Sequence, residues 1–148
     1  MLSYIFIGAL LSLGALYVFV KYQRKRQEEL NEIEFERNPD TVFMNIKERA
    51  NPQGGLTEFY KFIKGNLYYP EYAKEQKIEG FTYIQFIVEK DGSLSNMTVA
   101  KGLGFGCDEA AMEVIMMYGN WIPASIKGQP ARQKMVIPIV FRLKNINK

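Results

Sequence analysis

No histidine occurs among the 148 residues, and cysteine occurs once. A zinc site needs three or four histidine, cysteine or carboxylate ligands held together, and the usual His/Cys sets cannot be assembled from this chain. A Ser–His–Asp or Cys–His arrangement cannot be built at all. Cys107 has no partner for an intramolecular disulfide, so cysteine usage says little about redox compartment. Charge of one sign is also scarce: the net value is only +3, too small and too scattered for the basic footprint of a nucleic-acid binder. No acidic residue after Asn38 is embedded in an apolar run that would raise its pKa, so paired carboxylates lack the setting that acid–base chemistry needs. These absences predict no catalytic residues, no metal, no cofactor and no nucleic-acid partner.

Proline is thin where a spacer would use it, since residues 21 to 53 contain only Pro39 and Pro52. What stands there instead is a sharp change of composition. Leu2 to Val20, LSYIFIGALLSLGALYVFV, carries no charge and would measure roughly 28 Å as a helix, enough to cross a hydrocarbon core. A cleaved signal peptide wants a basic stretch before the apolar run and small residues after it. Tyr17, Val18, Phe19 and Val20 lead directly into Lys21 instead, so residues 1–20 are predicted to be a retained transmembrane anchor. It has no acidic or basic side chain, only Ser3 and Ser12 as small polar groups, which makes it a poor proton path. Residues 21–41 are predicted to be a charged, helical linker ending near Asn38-Pro39, because the residue before a proline disfavours helix. Its basic block, Lys21, Arg24, Lys25 and Arg26, directly follows the anchor. Such residues meet anionic head groups of membrane lipid, and by the positive-inside rule they would hold the C-terminal bulk in the cytoplasm.

From residue 42 to 148 the composition is globular. NPQGG (51 to 55) is a turn cluster. Leu56, Phe59, Tyr60, Phe62 and Ile63 then recur at helical spacing until Gly65-Asn66 stops them. Thr82, Ile84, Phe86 and Val88 would share one face of a strand, Asp91-Gly92 would turn a hairpin, and SLSNMTVAK would return as its partner. CDEAAMEVIMMYG reads as a helix with Asp108 and Glu109 at its positive end. The GLGFG before it (102 to 106) lacks the lysine and hydroxyl of a phosphate loop, and it reads as a tight strand-to-helix connection. The expected fold is α+β: about three antiparallel strands packed against two helices in the order α-β-β-α-β, preceded by one transmembrane helix.

The last strand contains the sharpest local conflict. In RQKMVIPIVFRL, Met135, Ile137, Ile139 and Phe141 alternate as in a half-buried strand, yet Pro138 stands among them without an N–H. Prolines in sheets are confined to edges and bulges, so this strand is predicted to lie at a sheet edge. Arg132, Lys134 and Arg142 are of the type that blunts an edge against aggregation. The alternative is a docking rail, along which a partner's extended segment adds a strand.

Taken together, these residues resemble the C-terminal domain of the TonB family. The resemblance runs from about Val42 to Leu143. It rests on Gly54-Gly55 before the first helix, Asn66-Leu67-x-Tyr69-Pro70 after it, and Lys90-Asp91-Gly92 at the hairpin. Trp121-x-Pro123, Gly128-x-Pro130 and the closing Pro138-Ile139-x-Phe141 complete it. It implies an inner-membrane protein with a single span and its C-terminal domain in the periplasm. There the last strand would pair with a short extended segment of an outer-membrane transporter and pass on work derived from the proton-motive force. Carried onto this chain, the receiving edge would be Arg132, Gln133, Lys134, Met135, Val136 and Ile137. Inner-membrane proton-driven motor proteins are further partners that the resemblance implies. The chain departs from the family pattern in its short linker, in lacking the membrane-embedded histidine common among energy transducers, and in carrying its basic flank after the span. A structural subunit scaffolding a membrane complex is the alternative role.

Overall fold

The computed structural model describes residues 13–143. They fall into two compact units that part between Pro39 and Asp40. The first contains one helix, α1 (Leu13–Arg37). It stops immediately before Asn38-Pro39, where proline opposes helix in the preceding residue. Most of the expected anchor, residues 1 to 12, lies outside the described residues; its remainder, from Leu13 to Val20, belongs to α1. Among the described residues no helix is long and apolar enough to cross a membrane.

The second unit is α+β. Its elements are β1 (Val42–Phe43), β2 (Asn51–Pro52), α2 (Gly55–Asn66), α3 (Glu71–Glu75), β3 (Gly80–Val88), β4 (Leu94–Lys101), α4 (Cys107–Tyr118), β5 (Trp121–Ile122), β6 (Ala124–Ile126) and β7 (Gln129–Phe141). The main sheet runs β1-β7-β3-β4, with β6 paired to the start of β7, and β2 pairs with β5 in a separate two-stranded ladder. Both the strand count and the element order therefore differ from the three-stranded α-β-β-α-β arrangement expected. The sheet is also mixed rather than antiparallel, because β1 joins β7 in parallel. The extra strands have two or three residues each, too short for any period of two to show. β6 exists because Lys127 and Gly128 both take positive φ (51° and 75°), the geometry that closes a two-residue hairpin.

β3 and β7 form the backbone of the unit, paired without interruption from Gly80↔Phe141 to Val88↔Gln133. Side chains alternate across a strand, and this register puts Thr82, Ile84, Phe86 and Val88 on the same buried face as Ala131, Gln133, Met135, Ile137, Ile139 and Phe141. α4 closes over that face with Cys107, Ala110, Ala111, Val114 and Ile115. α2 adds Phe59 and Ile63. Phe59 meets Tyr118 and Trp121 edge-on at centroid distances of 5.2 and 5.5 Å, and Trp121 meets Phe86 at 5.1 Å. Such pairs contribute about 1 kcal/mol each beyond their burial. Trp121 and Tyr69 are thus core aromatics, whereas Tyr68 and Tyr72 remain exposed.

The glycine-rich connection between β4 and α4 holds an anion of its own. The Asp108 carboxylate accepts the Leu103 N–H at 2.9 Å, the Gly104 N–H at 3.0 Å and the Thr82 hydroxyl at 2.9 Å. It fills the place a phosphate would need and ties the loop to β3. A Cβ on Gly102 would stand 2.1 Å from an Asp108 oxygen, so only glycine lets the loop close this tightly. Asp108→Ala should leave these donors without an acceptor and lower stability by about 2 kcal/mol. Urea unfolding checks it; an unchanged midpoint would show the loop to be held by something else.

Candidate functional site

Pro138 pairs with Tyr83 inside an unbroken β3–β7 register. Successive residues of an antiparallel strand send their N–H and C=O alternately to one neighbour and the other. The ladder survives the proline because the missing N–H is one that would point away from β3, the arrangement that admits proline to a sheet edge. Val136 and Val140, two residues to either side, share that outward direction. Their main-chain groups, with the Pro138 carbonyl, form the margin of β7 opposite β3. Between Lys134 and Phe141 the described ladder partners of β7 all belong to β3.

The six residues expected to form the receiving edge divide into two groups. Arg132 and Gln133 do not offer a free margin, because Val42 and Phe43 of β1 pair with them in parallel. Lys134, Met135, Val136 and Ile137 are paired with β3 on one side only. Of these, Met135 and Ile137 turn their side chains into the core, while Val136 is 43% exposed. The part of the edge that remains open therefore lies further toward the C-terminus than expected, and Pro138 and Val140 join it.

Why β1 takes the first part of the margin is visible in the side chain of Gln133. It is fully buried, accepts the Ala50 N–H at 2.7 Å and donates to the Met44 carbonyl at 3.2 Å. One amide thus satisfies two main-chain groups of the 44–50 segment, of which the buried Ala50 N–H would otherwise lack a partner. Glu48 and Ser125 form a further bridge from that segment to β6. The segment is strapped down at several points, and β1 is a consequence. Sequence reasoning missed it, since a glutamine on the apolar face of an alternating strand was the only available signal.

Arg132 is engaged as well. Its Nε and Nη2 grip the Glu89 carboxylate at 2.6 and 2.9 Å, and Nη1 donates to the Asp40 carbonyl at 3.0 Å. The bidentate geometry is the strong form of this pair. Hydrogen bonds, first from Arg132 and then from the Ser95 hydroxyl, hold the Glu89 carboxyl below its usual range despite partial burial. A carboxyl with a lower pKa folded than unfolded contributes its stability in full above the unfolded value, about 4.3. That contribution disappears as pH falls through the folded value. Glu89→Gln should therefore lower stability at pH 7 and flatten the loss on acidification below about pH 4.5. Urea unfolding at pH 7 and pH 3.5 measures both effects, and parallel acid limbs in the two proteins would contradict the assignment.

Two solved structures of the Helicobacter pylori TonB C-terminal domain are similar to this chain. The shorter is 27% identical, with 60% of this chain and 94% of that one covered at a TM-score of 0.48. The longer is 25% identical, with 60% and 79% covered at 0.45. A search of the curated proteins finds no match. The model of the Gram-negative bacterial TonB protein C-terminal family matches residues 65–143, more than half of the sequence. The chain belongs to the TonB C-terminal family.

Proposed function

We propose that this chain is a membrane-tethered, periplasmic TonB-like protein that takes up an extended segment of a partner as an added strand along β7. The observation that carries this reading is the margin of Val136, Pro138 and Val140, paired with no strand of the described chain opposite β3. Main-chain hydrogen bonds along such a margin would supply affinity, and pockets beside it selectivity. The nineteen uncharged residues from Leu2 to Val20 support the tether. Family membership supports an outer-membrane transporter as the partner and energy delivery as the use.

The Val136 N–H points away from β3, so proline there removes a donor from the margin without removing one from the ladder. Val136→Pro should abolish capture of the partner segment in site-directed crosslinking from Val140 while far-UV circular dichroism stays unchanged. Undiminished capture would end the strand-addition reading.

One observation favours a second reading. Lys21–Arg37 is helical, so this tether spans about 26 Å, less than half its extended reach. A tether that short suits a subunit that scaffolds a membrane complex close to the bilayer. A flexible Gly/Ser insertion after Arg37 separates the two readings. Partner-dependent transport should be preserved or improved in an energy transducer; loss of complex assembly on native gels would favour the scaffold.

A further inference from the structure

α4 covers the buried face of the sheet with one side and leaves its other side bare. There Glu109, Glu113, Met116 and Met117 are exposed and Met112 is half-buried; Met116 and Met117 leave 58% and 57% of their surface in water. Helical periodicity sorts the five into two neighbouring rows of i,i+4 spacing. One is Met112–Met116, and beside it runs Glu109–Glu113–Met117. Single exposed apolar residues are ordinary, but three of the chain's seven methionines stand on this one helix face. Methionine is flexible and polarizable, and it recurs on surfaces that shape themselves to a partner.

The charge on this face is unbalanced as well. In α2, Glu58 has Lys61 at 3.8 Å, and in α3, Glu71 has Lys74 at 2.6 Å. α4 contains no lysine or arginine. Neither Glu109 nor Glu113 makes an ion pair among the described residues. One helical turn apart, the two carboxylates repel each other and weaken the helix that carries them. The last turn also lacks a base, where one would complement the negative end of the helix dipole. Wet methionines and unpaired acids are both satisfied by a neighbour that is apolar and cationic.

We propose that the outer face of α4 is a docking surface for an amphipathic helix of another protein. The visitor's apolar stripe lies on Met112, Met116 and Met117, and its flanking lysines or arginines pair with Glu109 and Glu113. A helix suits the face better than a strand, because the main-chain groups of α4 are spent within the helix. What α4 offers is side-chain ridges, which interlock with those of a second helix. The acids make an anionic lipid surface an unfavourable occupant. The face shares no residue with the β7 margin and does not depend on strand addition there. Exposed ion pairs are individually weak, so the methionines provide most of the affinity and the glutamates the choice of partner.

The test uses the full chain in nanodiscs of zwitterionic lipid, with carbon-13 in its methionine methyl groups so that each methionine reports separately by NMR. Three alanine-rich, eighteen-residue peptides are titrated in, with empty nanodiscs alongside to correct for uptake by lipid. The first has leucine at every third or fourth position and lysines flanking the leucines. The second has glutamate in place of lysine, and the third has glutamine in place of leucine. The first should shift the Met112, Met116 and Met117 signals and leave the buried Met135 in place. Its half-saturation should fall at a concentration roughly tenfold lower than for either other peptide. The exposed double variant Glu109→Lys with Glu113→Lys should reverse the preference in favour of the second peptide. Unmoved α4 methionines, equal responses to the first two peptides, or a double variant that keeps the wild-type preference overturn the docking surface. Shifts of the same three signals with protein concentration alone would assign the face to contact between copies. Shifts on exchanging the zwitterionic lipid for anionic lipid would assign it to the bilayer. Either result overturns a foreign helix as its occupant.

Discussion

The β3–β7 ladder is the constraint on which the rest of the structure depends. One uninterrupted register, Gly80 to Val88 against Phe141 to Gln133, fixes which side chains of both strands reach the core. A slip of one residue would exchange the two faces. Ile84, Phe86, Ile139 and Phe141 would go to solvent, while Lys134 and Val136 turned inward. α4 has a surface to close over only because this register holds, and the aromatic group of Phe59, Trp121 and Phe86 forms around the same buried face. The same register aims the missing N–H of Pro138 at the outside.

Three polar ties secure what the apolar core leaves undetermined. Gln133 binds the 44–50 segment to the start of β7, Arg132 joins Glu89 at the end of the hairpin, and Asp108 closes the loop before α4. Each satisfies main-chain groups or a charge that burial would otherwise penalise. Their distribution also divides β7 into two stretches. The first is enclosed by β1, β6 and these side chains. The second rests on β3 alone and carries the valines and proline of the open margin.

That division bears on function more than any single residue does. The TonB C-terminal family is not a family of enzymes. The enclosed stretch has neighbours on both sides, while the open stretch is paired with β3 alone among the described residues. The segment from Asp40 to Gly54 lies outside the part matched by the family model, and it is what narrows the margin to its C-terminal half.

Long strands and helices were legible because each carries a period: Thr82 to Val88 and Met135 to Phe141 at every second residue, Phe59 and Ile63 one helical turn apart. Local sterics were legible too, in the helix that ends at Arg37 before Asn38-Pro39; the proline marks a stretch of β7 paired on one side alone, although the strand expected at the sheet edge lies between β1 and β3. The sequence by itself therefore determined the α+β class, the residues of the core and the position of β7 as a strand with one side unable to pair at Pro138. Only the tertiary structure decided that β1 covers Arg132 and Gln133 and that Asp108 fills its own glycine loop. Those features come from groups far apart in the chain meeting in space, as Gln133 meets Ala50, and no local period encodes such a meeting.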